Sequence, residues 1–423
     1  MAEFTFVDLF AGIGGFHAAL SGLGGRCLLA VEKDRDAALV YQHNWGMAAL
    51  DDVTREGWMG GVTEKVNVLC AGFPCQPFSK SGAQRGMDEA RGTLFFEICR
   101  ALERWQPELV LLENVRNLAG PRHKHEWEVI ITSLRDLGYA VSSKPLVISP
   151  HWLSVEEGGA PQNRERVYIV GTLVGRDEAW RRTDIQTVEL SKKTRRWQLQ
   201  EDLPLQKLSE LEDEELKELS WSATERSWVA AWNSLVENLR HYKVEVPSFP
   251  IWVDSWGESV ELDELPSWKA QLLNKNQSWY FENHELLDNW ASTWRVNTFP
   301  ASRRKLEWQA GDSSSFRGCL VQLRPSGLRV KKATHAGALV AIDQRPFIVD
   351  QGRRLSIREC ARLQRFPEDF DFTPVPARVA AKQLGNAVHV GSVQKVFRSH
   401  LLAPQTIRDL GVDHVLGQAA LGF

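Results

Sequence analysis

The sequence predicts an α/β fold, a doubly wound sheet domain joined to a second, smaller domain. Three observations carry this. Over residues 4 to 171, short apolar runs alternate with helical patterns, the order of strand, crossover helix, strand that builds a parallel sheet. Tryptophan then crowds the chain, with twelve of its 17 copies between Trp180 and Trp308, and the alternation is lost. The 423 residues also exceed what one core holds, since single cores stop growing at roughly 250 to 300 residues. The expected division is 1–172 with 377–423 for the sheet domain and 173–376 for the second.

The elements follow in order. Phe4 to Phe10 reads as a buried strand, and Gly15 to Ser21 as the helix after it. Cys27 to Glu32 and Asp36 to Asn44 repeat the pair, as do Val66 to Ala71 with Thr93 to Trp105, and Leu109 to Glu113 with Glu126 to Leu137. Arg166 to Gly171 is the last strand expected. A helical pattern with clean apolar spacing returns at Val379 to Leu402. Most of the tryptophans must be core at such density, although single ones can serve as platforms for bases.

Strand ends carry the chemistry in such sheets. Asp8-Leu9-Phe10-Ala11-Gly12-Ile13-Gly14-Gly15 leaves the first strand and opens the first helix, where a glycine turn lets a ligand approach the backbone. It is not the dinucleotide fingerprint, because the third glycine would fall at His17. Glu32 ends the second strand, where an acid accepts from ribose hydroxyls, and Asp52 is placed to hold an adenine amino group. A glycine turn and two acids without a phosphate grip suit an adenosyl ligand such as S-adenosylmethionine.

Gly72 and Pro74 stop the third strand, which sets Cys75 on the loop leaving its carboxyl end, between Pro74 and Gln76-Pro77. A cysteine elsewhere is usually a small buried hydrophobe. A rigid proline-flanked loop is how a nucleophile is displayed. Glu113 ends the fourth strand, and Gln162-Asn163-Arg164-Glu165-Arg166 brings two guanidinium groups to the sheet. Each could be a structural ion pair on its own. Together with the glycine turn they point to one pocket.

Composition narrows the rest. Six cysteines without a CxxC pair argue against a zinc site or a disulfide framework and for a reducing compartment. The run from Met1 into Phe4 has no signal-peptide pattern, so a cytosolic location is expected, and no run of about 18 apolar residues predicts a membrane span. The net charge of −3 favours no nucleic-acid partner, but charge is uneven. Residues 201 to 218 carry eight acids, while residues 303 to 332 carry eight basic residues and Arg353, Arg354, Arg358, Arg362 and Arg365 follow. Such patches supply phosphate contacts or are simply solvated helix faces.

DLFAGIGG, GFPCQPFS, ENV, QNRERVYIVG, RRLSIRECARLQRFPEDF and KQLGNAV, six motifs in this order, resemble the motif series of bacterial restriction-modification DNA (cytosine-5) methyltransferases. The resemblance covers residues 4 to 171 and about 353 to 400; the stretch between stands where that family has its variable target-recognition region. It implies an S-adenosylmethionine-dependent methyltransferase that flips a cytosine out of double-stranded DNA, with S-adenosyl-L-homocysteine as product and a cognate restriction endonuclease as functional companion. Cys75 would add to C6, Glu113 would hold the N3 and N4 edge, and Arg164 and Arg166 would orient Glu113 and the base. Phe10, Gly12, Gly14, Glu32, Asp52, Val53, Pro74, Leu94, Asn386 and Val388 would line the cofactor site. Gln76, Ser79 and Ser81, on the loop after the nucleophile, and Arg324, Arg329 and Lys331 are the expected DNA contacts. No metal is implied, and no heptad seam appears, so a monomer is expected.

The chain departs from the family at Lys33, where an aromatic residue is common, and at Ala387, where serine is common. Two other readings stay open. One branch of the family modifies transfer RNA, but it lacks so large an insertion and carries a Cys-Phe-Thr tripeptide absent here. A catalytically silent DNA-binding regulator would have lost Cys75 or the glycine turn, and both are intact.

Overall fold

A computed structural model describes residues 4–74, 93–185, 197–257 and 265–411, with 414 and 416. The chain falls into two compact units, one of Met1–Trp197, Gly337–Asp343 and Cys360–Phe423, the other of Gln198–Ala336 and Gln344–Glu359. The first unit is larger than the composition suggested. Trp180 and Trp197 lie within it, so the rise in tryptophan precedes the structural boundary, and a proposed cut at 172 would fall inside a strand.

The first unit is built on β1 (Phe4–Leu9), α1 (Gly15–Ser21), β2 (Gly25–Val31), α2 (Arg35–Trp45), β3 (Val68–Ala71), α3 (Leu94–Trp105), β4 (Leu109–Val115), α4 (Lys124–Asp136), β5 (Tyr139–Val141), β6 (Leu146–Ile148) and β7 (Arg166–Leu173). The sheet runs β2-β1-β3-β4-β7-β5, with β6 also on β7. Every residue of β1 is buried, as a strand covered on both faces requires. Phe95, Ile98 and Leu102 of α3 and Ile130 and Leu134 of α4 pack on one face; Phe4 stacks on Phe397 on the other, ring centroids 5.5 Å apart. Side-chain caps start α2, where Asp34 accepts from Ala37 N at 3.0 Å, and α3, where Thr93 accepts from Phe96 N at 3.3 Å.

The sheet is not parallel throughout, as the alternation predicted. β2, β1, β3 and β4 are parallel, but β7 runs antiparallel to β4, β5 and β6. A parallel return needs a crossover element of about a dozen residues or more. Between β6 and β7 the named helical element is a single 3-10 turn, Pro150–Trp152, so β7 comes back in the opposite sense. This reversal decides where Arg166 lies. A parallel strand would have started at the far edge, whereas the antiparallel β7 starts at Arg166, directly opposite Val115 at the end of β4.

The helical pattern at 379–402 is two helices, α7 (Ala377–Asn386) and α8 (Val390–Leu401). Arg164 explains the break. Its Nη2 donates to the carbonyls of Gly385 at 3.0 Å and Ala387 at 2.7 Å, while His389 Nδ1 accepts from Ser392 N at 2.9 Å and caps α8.

The second unit holds β8 (Ile251–Trp252), β9 (Lys305–Gln309), β10 (Cys319–Arg324), β11 (Gly327–Lys332), β12 (Phe347–Ile348) and β13 (Arg353–Arg354), in the order β13-β12-β10-β11-β9-β8. Two helices, α5 (Ala223–His241) and α6 (Ser267–Thr293), supply its main helical partners. Trp221, Trp232, Trp256, Trp290 and Trp308 join one apolar cluster with Leu306, Val321, Leu328 and Val330. The tryptophans are thus chiefly core, as expected, with the 66% exposed Trp268 an exception.

Several of the basic residues expected to be open are paired. Arg353 and Glu359 form an ion pair at 2.7 Å with both side chains 0% exposed, and Glu359 also accepts from the main chain of Gln206 and Ser356. Arg354 pairs with Glu225, and within the first unit Arg362 pairs with Glu368 at 2.9 Å. Three of the five arginines between 353 and 365 are thus held in ion pairs.

Candidate active site

The carboxyl ends of β1 to β4 open onto one pocket of about 970 Å3, lined within the first unit by the residues that follow each strand, by Ala341–Asp343, and by α7. Phe10 and Gly12 line it with φ 57 and 56, and Gly14 continues the turn at φ 89. A non-glycine residue held at positive φ stores strain, which concentrates at functional turns. At Gly14 a side chain is excluded outright: a Cβ would lie 2.2 Å from the Trp45 indole nitrogen, which itself donates to the Ile13 carbonyl at 3.2 Å.

Glu32 is preset by this turn. Its Oε2 accepts from Gly12 N at 2.8 Å and its Oε1 from Asp34 N at 2.6 Å, leaving each oxygen a lone pair for a hydroxyl donor. Asp52 accepts from Thr54 N and Oγ1 and pairs with Lys33 at 2.8 Å, contacts that hold its carboxyl down at about 2. Val53, Pro74 and Leu94 line the same cavity. Lys33, standing where the family favours an aromatic ring, therefore acts as the counter-charge of Asp52.

At the other end, Glu113 is 7% exposed and its Oε1 lies 3.2 Å from Arg166 Nε, yet among the described residues that oxygen has no aligned hydrogen bond. The contact is an ion pair with bonding capacity to spare. Burial pushes the Glu113 carboxyl up, against the opposing pull of Arg166 and Arg164. Asn114, next in the chain, donates from Nδ2 to the Phe73 carbonyl at 2.8 Å and so ties the end of β4 to the loop leaving β3.

Arg164 does not act as expected. It lines the pocket, but besides Gly385 and Ala387 it donates to the Leu339 carbonyl at 2.9 Å. Burial, with Arg166 close by, lowers its guanidinium to about 9, still protonated at neutral pH. It fastens the pocket wall and acts on Glu113 through its charge, while among the described residues Arg166 is the one in an ion pair with Glu113.

The structure thus brings together Phe10, Gly12, Glu32, Asp52, Val53, Pro74, Leu94, Glu113, Arg164, Arg166 and Asn386. Gly14 and Val388 sit behind the wall; Val388 packs where side chains at Gly15 and Gly72 would otherwise project. Cys75, Gln76, Ser79 and Ser81 lie outside the described residues. In the second unit Arg324 and Arg329 both pair with Glu307, Arg329 at 2.8 Å, while burial lowers the half-buried Lys331 to about 8. Sequence reasoning missed Asn114 and Gln383, each inside a quoted motif, and Ala341–Asp343, for which the sequence carries no signal.

The family described as C-5 cytosine-specific DNA methylase matches residues 4–401. The Type II methyltransferase M.AluI of Cellulosimicrobium cellulans is 40% identical over 480 aligned positions, spanning 95% of this chain and 92% of that protein. M.HpaII of Haemophilus parainfluenzae is 44% identical over 170 positions, 40% of this chain and 46% of that one. M.BanI of Aneurinibacillus aneurinilyticus is 29% identical across 93% of this chain and 95% of its own length.

Proposed function

The chain belongs to the C-5 cytosine-specific DNA methylase family, and on that premise we propose that it methylates C5 of a cytosine flipped out of double-stranded DNA, through a covalent bond from Cys75 to C6. The observation that carries the reading is the buried Glu113–Arg166 pair, with a carboxylate oxygen that no described residue hydrogen-bonds, at one end of a pocket whose other end is an adenosyl-type cradle.

The residues fit S-adenosylmethionine. Glu32 is oriented for ribose hydroxyls, Asp52 for an exocyclic amino group, and Phe10, Val53 and Leu94 supply apolar wall. When bound, the cofactor supplies a methyl group made electrophilic by its sulfonium. The chain does the rest. A cytosine within a stacked duplex is out of reach, so it must enter the pocket unstacked. The Cys75 thiolate adds to C6, and C5 becomes an enamine carbon that can take the methyl group. Glu113, kept toward its protonated form by burial, shares a proton with N3 and accepts from N4 as charge builds. Arg166 holds Glu113 in place. Loss of the C5 proton then expels Cys75 with its bonding electrons and restores the ring.

The second unit would read the sequence, with Arg324, Arg329 and Lys331 meeting DNA. A cytoplasmic monomer acting beside a restriction endonuclease of the same specificity completes the reading. Tritium transfer from labelled cofactor to duplex DNA, to transfer RNA, and by Cys75→Ser tests it. Transfer to duplex DNA that Cys75→Ser abolishes is expected; transfer only to transfer RNA, or none, would sink the reading. Bisulfite sequencing of DNA from expressing cells then gives the site.

A further inference from the structure

Gln383 is 7% exposed, lines the pocket, and has no hydrogen-bond partner for either Nε2 or Oε1 among the described residues. Burying a primary amide with both ends unsatisfied is unfavourable, so a pocket that retains one has a place for a bonding group that the described residues do not supply. The neighbouring Gln364 shows the alternative. Its Nε2 donates to the Leu384 carbonyl at 2.7 Å, a purely structural use of the same side chain.

The placement of α7 says which group Gln383 meets. Lys382 reaches to 4.0 Å from Asp34, just past the end of β2, and Val388, beyond the helix, packs at Gly15 and Gly72 beside the ends of β1 and β3. Gln383 therefore stands over the β1 turn, between the β2 side and the β3 side. The sulfur of S-adenosylmethionine carries three branches. The nucleoside branch is claimed by Glu32 and Asp52, and the methyl must face the Glu113 end. The amino-acid branch is left with the wall formed by the β1 turn and α7.

We propose that Gln383 binds the amino-acid end of the cofactor, with Nε2 donating to its carboxylate and Oε1 accepting from its ammonium. A planar amide offers one donor group and one acceptor group, which is what that zwitterion requires. The inference rests on the cofactor reading above. It adds that the contact made by this side chain is neutral, so substrate and product cofactors, which share the amino-acid end, gain equally from it.

Calorimetry of the full chain with S-adenosylhomocysteine and with 5′-methylthioadenosine, which lacks the amino-acid end, tests this. Gln383→Ala and the similarly sized Gln383→Met, each checked for an unchanged melting temperature, are expected to weaken S-adenosylhomocysteine about tenfold, the loss of one charge-assisted bonding pair. Both should leave 5′-methylthioadenosine within about twofold of wild type. Gln383→Glu, which sets a carboxylate against a carboxylate, should weaken S-adenosylhomocysteine further. Equal losses for both ligands would mean that the amide reads the nucleoside, and no loss for either would mean that it is structural; both overturn the proposal. A wild-type chain that binds neither ligand would instead overturn the cofactor reading itself.

Discussion

In the seven-stranded sheet the reactive side chains hang from strand ends, whereas in the six-stranded sheet the charged side chains lie along one face. Glu32, Glu113 and Arg166 each sit at or beside a strand terminus, where a few consecutive residues set both the turn and the functional group. Glu307, Arg324 and Arg329 come from β9, β10 and β11 and meet only because the strands are in register. The difference shows where recognition can vary. Strand-end chemistry is bound to its motif, while a charged face can be rewritten one side chain at a time.

The comparison can be broken most severely at Cys75. Cys75→Ser is expected to lower single-turnover methyl transfer by at least about a thousandfold, as removal of a covalent nucleophile does, while duplex binding in a filter or anisotropy assay persists. Loss of binding together with transfer would mean that the two sheets do not divide the work.

Next in size is the buried pair of the second unit. Arg353→Met leaves Glu359 charged and fully buried, and should cost about 3–5 kcal/mol in urea unfolding. Arg353→Met with Glu359→Leu should recover most of that. A double variant no more stable than the single one would contradict the assignment.

Glu113→Gln keeps the shape of the pocket but not the shared proton, and should lower kcat roughly a hundredfold. It also carries a sign. Burial raises the Glu113 carboxyl in the folded protein, so its stability contribution is full at low pH and is lost as pH rises through the raised pKa. Unfolding midpoints of Glu113→Gln and wild type should therefore diverge in favour of the variant from pH 5 to pH 8. Parallel curves would show that burial does not control this carboxyl.

The smallest effect is expected at Glu307. Glu307→Gln releases two arginines from their internal counter-charge, and should change duplex affinity by no more than about fivefold while steepening its salt dependence. An unchanged salt slope would place this face away from the phosphates.

These contrasts explain what could be read in advance. The glycine turn, Glu32 and Glu113 were legible as neighbours in one pocket because backbone and chemistry are encoded within a few adjacent residues. The direction of β7 was not, since it depends on how residues 149–165 cross the sheet rather than on the strand's own pattern. Arg164 was visible as an ion but not as a clamp, because its acceptors are main-chain carbonyls at Leu339, Gly385 and Ala387, which carry no side-chain signature. Gln383 lay within a recognised motif, yet what separates it from Gln364, whose Nε2 is hydrogen-bonded, is burial in the pocket without a partner among the described residues.

The walls of the pocket come from residues 10–166, from 341–343 and from 378–386. A ribosome delivers the glycine turn, Glu32 and Glu113 long before it delivers Arg378 or Asn386. Through most of synthesis, then, the nascent chain carries Glu32 and Glu113 without the helix that lines the pocket with them. The timing of translation itself keeps the pocket incomplete until residues 378–386 have emerged.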